Sequence, residues 1–346
     1  MCRGCVSVKT YDVAVVGATG AVGEAIFSIL EERDFPVGKI YALASSRSVG
    51  KIIYYKNTSV KVEDLETFDF SKVSIGLFSA GASVSKVYAP KAVAAGCIVI
   101  DNTSEFRYDD EIPLVVPEVN PESIAEYKTR GIIANPNCST IQMVVALKPI
   151  YDAVGIERIN VCTYQAVSGT GKEGIEEVVS QTAKLLNGKP ITPSVYPKQI
   201  AFNVLPQIDV FMDNGYTKEE MKMVWETRKI FSDQAIMVNP TAVRVPVFYG
   251  HSEAVHIETK QKIEIEKVYE LLAKAPGITI LDERVDGGYP TAVTESSGND
   301  DVFVGRVRED ISHPRGVDLW VVSDNVRKGA ALNSVQIAEE LVNKYI

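Results

Sequence analysis

The chain has 346 residues, of which 46% are hydrophobic, so it can bury a large core and we expect two domains. Its 36 Lys and Arg residues are outnumbered by 45 Asp and Glu residues, which gives a formal net charge of -9. Nucleic-acid binding depends on clustered basic side chains, and the sequence contains no basic run. The composition therefore argues against a DNA-binding or RNA-binding protein.

The length of the apolar segments and the number of cysteines indicate the cellular compartment. The longest uncharged apolar stretch, 13–23, has about half of the ~20 residues that a bilayer-spanning helix needs, so no membrane association is expected. The first residues lack a long apolar signal region, and the five cysteines form an odd, sparse set. These features predict a cytoplasmic protein.

Short β-branched runs alternate with helical stretches in the N-terminal part of the chain, which is typical of βαβ units and a mostly parallel sheet. We predict strands at 13–16, 40–44, 75–79 and 97–101, and helices at 20–32 and 83–95. From about residue 139 a helix at 141–154 and longer alternating segments at 159–167, 243–247 and 255–257 follow. They predict a second, α+β domain with an antiparallel or mixed sheet.

Apolar spacing predicts two further helices. A helix at 171–186 would turn one face to the core, formed by Ile175, Val178, Val179, Thr182, Leu185 and Leu186. A last helix would bury Ala331, Val335, Ala338, Leu341, Val342 and Tyr345. The Gly-rich and Pro-rich segments 188–197 and 287–298 are predicted loops, and their length makes them candidates for site lids or subunit contacts.

A glycine-rich turn with the spacing G-x-x-G-x-x-G joins the first strand to the first helix. Glycines let the backbone approach a pyrophosphate, and the N–H groups at the helix start supply donors. The turn predicts a dinucleotide site formed by Gly17, Thr19, Gly20, Ala21 and Val22. A glycine-rich turn without a ligand is the open alternative.

The segment after the second strand indicates which dinucleotide binds. An NAD site would place a carboxylate there, but the sequence has Ser45, Ser46, Arg47 and Ser48. A guanidinium among hydroxyls suits the 2′-phosphate of NADP. We predict NADP, bound by Ser45, Arg47 and Ser48, and a solvated loop arginine is the alternative.

Cys138 lies in the segment Asn-Pro-Asn-Cys-Ser-Thr, directly before a predicted apolar helix. The positive end of a helix dipole and its unpaired N–H groups favour a thiolate. The same N–H groups could hold the oxyanion that forms when a thiolate adds to a carbonyl. Cys138 is therefore a candidate nucleophile, with a buried structural cysteine as the alternative.

The other four cysteines are predicted to have no chemical role. Cys97 and Cys162 lie in apolar strands, where a cysteine packs as a small hydrophobic residue. Cys2 and Cys5 form a single CxxC without a second pair, which is too little for a zinc site. No metal site is predicted.

The three histidines leave one candidate acid/base. His256 and His313 have no chemically suggestive neighbours in sequence, whereas His251 follows Arg244 closely. A strand could direct Arg244 at a ligand while the next loop delivers His251. A lone histidine is more often structural than catalytic, so this alternative stays open.

These motifs resemble those of the aspartate-β-semialdehyde dehydrogenase family of the short bacterial type, in the same order and along nearly the whole chain. The matching segments are GATGAVG from Gly17, SSRS from Ser45, DNTSEFR ending at Arg107, NPNCST around Cys138, QAVSGTG from Gln165, EEMK from Glu219, RVPVFYGHSE from Arg244 and SDNVRKGAALN from Ser323.

The resemblance implies an α/β fold with two domains. Residues 1–137 with 325–346 would form an NADP-binding Rossmann-like domain with a parallel sheet. Residues 138–324 would form an α+β catalytic and dimerisation domain of the glyceraldehyde-3-phosphate-dehydrogenase type. The implied reaction is the NADP-dependent and phosphate-dependent interconversion of L-aspartate 4-semialdehyde and L-4-aspartyl phosphate, a step in lysine, threonine and methionine biosynthesis. The implied assembly is a homodimer or homotetramer.

The resemblance also implies a role for each site residue. Cys138 would be the nucleophile, His251 the acid/base, and Gln165 would orient the acyl group. Arg244 would bind the α-carboxylate of the substrate and Glu219 would bind its ammonium group. Asn137 would be a further substrate contact. Phosphate would be bound by Arg107 and Lys222. The residues near the nicotinamide would be Ser168, Gly169 and Asn325.

Three alternatives remain at this point. N-acetyl-γ-glutamyl-phosphate reductase and glyceraldehyde-3-phosphate dehydrogenase share the cysteine chemistry, but both would need other substrate-reading residues. A catalytically inactive nucleotide-binding homologue would not require Cys138, Gln165, Arg244 and His251 together. Without the resemblance, Glu219 and Lys222 would also be read as a solvent-exposed ion pair.

Overall fold

The structure is a computed structural model that describes residues 9–346, so Cys2 and Cys5 lie outside the described residues. It forms two compact units. The first comprises residues 9–113, Glu122–Asn135 and Ser334–Ile346, and the second comprises Leu114–Pro121 and Pro136–Asn333.

Segments 114–121, 136–137 and 325–333 were predicted in the first domain but belong to the second unit. Two contacts join the first and the last of these segments. Lys328 Nζ pairs with the Glu118 carboxylate at 2.6 Å, and Asn333 Nδ2 donates to the Val115 carbonyl at 3.0 Å.

Within the described residues, the first unit contains a seven-stranded sheet with the order β3-β4-β2-β1-β5-β6-β7. Its strands are β1 (Tyr11–Val16), β2 (Val37–Ala44), β3 (Ile52–Tyr55), β4 (Thr58–Asp64), β5 (Ile75–Phe78), β6 (Ile98–Asp101) and β7 (Ile132–Ala134). Neighbouring strands are parallel except for β3 and β4, which are antiparallel. Residues 13–16 of β1 and the whole of β5 carry no polar side chain and are buried, as expected for central strands covered on both faces.

The helices α1 (Ala21–Glu32) and α2 (Ala82–Ala94) follow β1 and β5, as the pattern predicts. In the second unit the helices are α3 (Cys138–Val154), α4 (Lys172–Leu186), α5 (Lys218–Ile230) and α6 (Ile265–Leu272). The last helix, α7 (Leu332–Lys344), buries Val335, Ala338 and Leu341 as predicted, while Val342 and Tyr345 are half-buried. Among residues 9–346, no helix is both long and apolar enough to cross a bilayer.

The second unit contains, in the described chain, a six-stranded sheet with the order β11-β12-β13-β10-β8-β9. Its strands are β8 (Ile156–Gln165), β9 (Met237–Arg244), β10 (His251–Thr259), β11 (Ile278–Ile280), β12 (Val302–Glu309) and β13 (Gly316–Ser323). The pairs β8/β9 and β11/β12 are parallel and the other pairs are antiparallel. The predicted fold class, a parallel Rossmann-like sheet followed by an α+β unit with a mixed sheet, is confirmed.

Helix α3 is buried on most of its surface because it packs on the sheet strands β8, β10, β12 and β13 and also contacts α5 and α6. It begins at Cys138, three residues before the predicted start, because Asn137 caps its first turn. Side chains on the sheet face beneath α3 therefore pack against a helix that has Cys138 at its N-terminus.

The predicted core face of α4 is correct only in part. Val178 is buried and Ile175 packs beside it, but Val179 is 51% exposed and Leu186 is 75% exposed. The buried face is partly polar, because Glu177 accepts hydrogen bonds from the backbone of Ser194 and Val195, and Gln181 Oε1 accepts one from Ile200 N–H. The helix therefore anchors the neighbouring loop backbone and also contributes Val178 to a small apolar cluster with Val167, Ile200 and Leu205.

The two predicted loops differ in their local structure. Segment 188–197 contains no helix or strand. Segment 287–298 includes a π-helical turn at Ala292–Ser296, which apolar spacing does not signal.

Candidate active site

The glycine turn of the first unit is built for close backbone approach. Gly17 has φ of 90°, and a Cβ there would lie 2.9 Å from Ala80 N. A Cβ on Gly23 would lie 2.2 Å from Gly17 O. Helix α1 follows with Gly20 as N-cap, a residue that has no side chain to occupy its first N–H groups. The predicted residues Thr19, Ala21 and Val22 lie on this turn, which fits a dinucleotide pyrophosphate.

Arg47 lies at the carboxyl end of β2, in a short 3₁₀ turn at Ser46–Ser48 that Ser45 precedes. Its side chain is exposed. Because β1 and β2 pair in parallel, with Val16 opposite Leu43, this turn and Gly17 lie at the same edge of the sheet. The arrangement fits a guanidinium beside a bound adenosine ribose.

Arg107 belongs to the first unit and is 6% exposed. Its Nη2 donates to the Asn102 carbonyl at 2.8 Å. Burial raises the pKa of the neighbouring Asp101 carboxyl, while the charge of Arg107 and hydrogen bonds from Ser85 and Thr103 oppose that shift. The guanidinium is therefore held in place by its own unit.

Cys138 is the first residue of α3 and is half-buried. The preceding Asn137 uses both ends of its amide. Its Oδ1 accepts hydrogen bonds from the N–H groups of Ser139 at 3.0 Å and Thr140 at 3.3 Å, and its Nδ2 donates to Glu219 Oε1 at 2.8 Å. Asn137 N–H also donates to Glu226 Oε2 at 2.6 Å. The cap thus connects the cysteine to helix α5.

This cap changes the expected source of oxyanion stabilisation. The sequence assigned the N–H groups at the start of α3 to the oxyanion, but two of them already donate to Asn137 Oδ1. These two N–H groups are therefore engaged within the cap.

Gly329 is a site residue that the sequence analysis missed. It lies in a π-helical turn at Arg327–Ala331, and a Cβ at this position would lie only 2.7 Å from Cys138 Cβ. Glycine is therefore needed for the close approach of this turn to the cysteine. A single glycine inside an apolar helical pattern gives no sequence signal for such a contact.

Four polar residues end or begin adjacent strands of the second sheet. Gln165 ends β8 and is paired in register with Arg244 at the end of β9. His251 begins β10 and pairs with Ser323 at the end of β13. His251 was expected in a loop, but antiparallel pairing with β13 places it in the strand. All four side chains are buried at one end of the sheet.

Glu219 and Lys222 form a buried ion pair on α5, with Nζ and Oε2 2.9 Å apart and side chains 8% and 13% exposed. The alternative of a solvent-exposed pair is therefore wrong. Burial opposes the charge on Glu219, but Lys222 and hydrogen bonds from Lys222, Gln165 and Asn137 outweigh it and lower the pKa of Glu219 to about 2. Lys222 also pairs with Asp209 at 2.9 Å. The site keeps a carboxylate at every physiological pH.

His251 is fully buried, and the backbone N–H of Ala166 donates to its Nδ1 at 3.0 Å. A backbone N–H can only donate, so Nδ1 is the acceptor and the neutral ring carries its proton on Nε2. Burial and the charge of Arg244 lower the pKa of His251 to about 3. Among residues 9–346, Nε2 has no hydrogen-bond partner. This nitrogen is a buried donor available to an oxyanion.

The Ala166 backbone also orients Arg244, whose Nη1 donates to the Ala166 carbonyl at 2.7 Å. A Cβ on Gly169 would lie 2.8 Å from Arg244 Nη1 and 3.5 Å from His251 Cε1, so glycine permits this packing. The sequence analysis missed Ala166 because only its backbone atoms participate.

Asn325 ties together three loops of the second unit. Its Oδ1 accepts from Gly250 N–H at 2.9 Å, and its Nδ2 donates to Ser168 Oγ at 2.9 Å. Ser168 precedes Gly169 and Gly250 precedes His251 in sequence, so Asn325 links the two segments that carry these residues.

Two expectations about residues outside this cluster need correction. Cys162 is half-buried, not buried, because its side of β8 is the outer face, where it neighbours Tyr164. His256 has acidic neighbours after all, since its Nδ1 lies 3.0 Å from Asp318 Oδ1. Cys97 is buried as expected, and burial raises the pKa of its thiol to about 12.

Comparison with known proteins matches both parts of the chain. Residues 12–127 match the semialdehyde dehydrogenase NAD binding domain, and residues 147–328 match the semialdehyde dehydrogenase dimerisation domain. The aspartate-semialdehyde dehydrogenase of Legionella pneumophila is 65% identical over 97% of this chain and 96% of its own length.

Solved structures agree. Aspartate semialdehyde dehydrogenase II of Vibrio cholerae, complexed with ASA, has a TM-score of 0.96 at 62% identity and covers 98% of this chain and 100% of its own. The Candida albicans enzyme with NADP has a TM-score of 0.75 at 25% identity, covering 96% of this chain and 99% of its own. The resemblance inferred from the motifs is confirmed, and the chain belongs to the aspartate-semialdehyde dehydrogenase family.

Proposed function

We propose that this protein interconverts L-aspartate 4-semialdehyde and L-4-aspartyl phosphate, with NADP as cofactor and inorganic phosphate as co-substrate. The observation that carries the proposal is the connection of Cys138, through the Asn137 cap, to the buried carboxylate of Glu219 and to Gln165. A helix-start thiol and a fixed anion in one cluster suit an amino-acid substrate with an electrophilic side-chain carbonyl.

Cys138 carries the covalent step. In the reductive direction its thiolate attacks the acyl carbon of the acyl phosphate, a C–S bond forms, and the C–O bond to phosphate breaks to give a thioester. A dinucleotide held by the glycine turn at Gly17 and by Arg47 would supply the hydride in this direction and accept it in the other. The resulting oxyanion collapses, the C–S bond breaks, and the aldehyde and the thiolate are released.

We propose that His251 stabilises that oxyanion. We expected a general acid/base, but the imidazole is neutral with its proton on Nε2, and Nδ1 is engaged by Ala166 N–H. A neutral Nε2–H group can donate a hydrogen bond to the acyl oxygen without carrying charge. It would replace the helix N–H groups that Asn137 occupies.

The charged side chains of the second unit match the substrate's charges. Arg244, whose guanidinium is anchored on the Ala166 carbonyl, can form a forked contact with the α-carboxylate. Glu219 stays ionised and can bind the ammonium. The phosphate-binding roles of Lys222 and Arg107 both remain predictions.

An activity assay tests this proposal. With aspartate semialdehyde and NADP, we expect NADPH to form only when phosphate is present, and we expect much slower turnover with N-acetylglutamate semialdehyde. Phosphate-independent formation of NADPH, or preference for the glutamate analogue, would contradict the proposed reaction.

The choice of NADP rests on the exposed Arg47 at the edge of the first sheet, and the NADP-bound Candida albicans relative supports it. Arg47→Ala is expected to weaken NADP binding by about tenfold to a hundredfold, the order of one lost charge-assisted phosphate contact, and to leave NAD binding unchanged. Titration of both dinucleotides by fluorescence measures the two affinities. An unchanged NADP affinity would refute the role of Arg47.

We also propose a cytoplasmic homodimer, or a tetramer of two such dimers, assembled through the second sheet. Tyr164 and Trp320 lie with ring centroids 5.8 Å apart on the outer face of that sheet, and Tyr164 is 36% exposed. Such an aromatic surface suits an isologous interface. Sedimentation that shows only monomers at micromolar concentration would contradict this assembly.

A further inference from the structure

We propose that Glu226 is a positioning residue that fixes the backbone directly before Cys138. Glu226 lies on α5 and is completely buried. Its Oε2 accepts a hydrogen bond at 2.6 Å from the N–H of Asn137, the residue that precedes the cysteine. The inference rests on the proposed function, because it concerns the nucleophile of that reaction.

Helix α5 holds Asn137 at two points. Glu226 accepts a hydrogen bond from its backbone N–H, and Glu219 accepts one from its side-chain Nδ2 at 2.8 Å. Seven residues, or about two helical turns, separate the two glutamates, so they share one face of α5 and lie about 10 Å apart along its axis. A residue held by one hydrogen bond can pivot about that contact, whereas two contacts at this spacing also fix its orientation.

The acceptor for the Asn137 N–H comes from a distant part of the chain. At the start of α5, the N-cap residue Thr217 donates its N–H to Glu220, three residues later, in a local capping box. The equivalent residue of α3 is Thr140, and the acceptor for Asn137 N–H is instead 89 residues away in sequence. A local glutamate would satisfy the N–H but would not tie α3 to α5. Glu226 therefore couples the two helices.

The anchored N–H is covalently close to the thiol. Only the two soft dihedrals of Asn137, with φ of -63° and ψ of 143°, separate it from the Cα of Cys138. On the other side of the cysteine, Asn137 Oδ1 accepts hydrogen bonds from Ser139 and Thr140 and holds the first turn of α3. Cys138 thus lies between two fixed peptide segments, and a shift of Asn137 moves the cysteine with it.

Two substitutions separate the reach of the Glu226 side chain from its charge. Glu226→Asp keeps the charge but withdraws the carboxylate by about 1.5 Å, one C–C bond, so the Asn137 contact is lost or the backbone is drawn towards α5. We expect kcat to fall about tenfold to a hundredfold, the effect of roughly 1 Å of misplacement, with KM changed less than about threefold. Glu226→Gln keeps the length and one acceptor oxygen, so it should retain kcat within about threefold.

Glu220→Asp is the matched control, because Glu220 is a buried glutamate on the same helix that also accepts hydrogen bonds from backbone N–H groups. Its donors are Thr217 and Ala242, and neither adjoins Cys138 in sequence. This variant should lose thermal stability comparably to Glu226→Asp and keep kcat.

The outcomes that decide the proposal concern folded proteins. A folded Glu226→Asp protein with wild-type kcat, or an equal loss of kcat in Glu220→Asp, would overturn it. If Glu226→Asp does not fold, Glu226→Gln decides. In that case, kcat within about threefold of the wild type supports the contact, and a larger loss in the folded protein refutes it.

A measurement that needs no substrate separates this proposal from the proposed function. Alkylation of Cys138 by iodoacetamide, followed by mass spectrometry of its peptide, reports the setting of the thiol. Because Glu226→Asp preserves the charge, a changed rate reflects the position of the thiol. We expect the rate to change at least about threefold in Glu226→Asp and to keep the wild-type value in Glu220→Asp. An unchanged rate in Glu226→Asp would overturn this proposal, whereas failure of the wild-type protein to act on aspartate semialdehyde would overturn only the proposed function.

Discussion

Replacement of Cys138 by serine is expected to reduce turnover of aspartate semialdehyde by on the order of 10⁴-fold or more. A serine hydroxyl has nearly the same size but does not ionise near neutral pH, and the neutral His251, engaged at Nδ1, offers it no base. Steady-state NADPH formation measures the loss. NADP binding should stay within about twofold of the wild type, because the dinucleotide turn belongs to the first unit.

Cys162→Ser is the control for this loss, because Cys162 is a half-buried thiol on the outer face of the same unit. It should retain activity, and iodoacetamide should still inactivate it. If Cys138→Ser turned over at the wild-type rate, or if alkylation of Cys138 left activity intact, the thioester route would be excluded.

The sequence predicted the first sheet more accurately than the second unit. The strands β1, β2, β5 and β6 are mainly apolar runs bounded by turn residues, and this pattern fits few secondary structures other than a strand. The core face of α4 was misread in part, because much of the buried face of this helix contacts a polar loop backbone and not apolar side chains. A one-dimensional pattern shows which residues share a face, not what covers that face.

Within the site, the sequence motifs predicted the functional side chains but not the contributions of the backbone. Cys138, Arg244 and His251 carry functional groups that a sequence displays. The roles of Ala166 and Gly329 depend on a backbone N–H and on a missing Cβ, which only the three-dimensional arrangement reveals. The tautomer of His251, which alters its proposed role, follows from such a backbone contact.

Glu253 is a buried residue that was missed for a related reason. In sequence it is one of several acids on an alternating strand, and an acid is ordinarily expected at the surface. Its burial follows from the register of β10, which begins at His251 and places every second residue beneath α3. The register of β10, which begins at His251, thus buries the carboxyl.

The wild-type protein is expected to lose stability as pH falls below about 6.5, more steeply than a His251→Gln variant does. The pKa of His251 is about 3 in the folded protein and about 6.5 when the chain is unfolded. Between these values the unfolded chain binds a proton that the folded protein does not, so acid favours unfolding by roughly 1.4 kcal/mol per pH unit. Above about pH 6.5 both states are neutral and the contribution vanishes.

Urea unfolding of both proteins at several pH values measures this difference. Glu219, whose pKa is lowered, adds its own loss at lower pH, and Glu253, whose pKa is raised, acts in the opposite direction as pH increases. Both carboxyls remain in the variant, so the gap between the two stability curves isolates the imidazole. Parallel curves would mean that folded His251 binds a proton near neutral pH, which breaks the Ala166 contact at Nδ1. The neutral Nε2–H donor would then be unavailable to the oxyanion, and His251 would have to act as an acid instead.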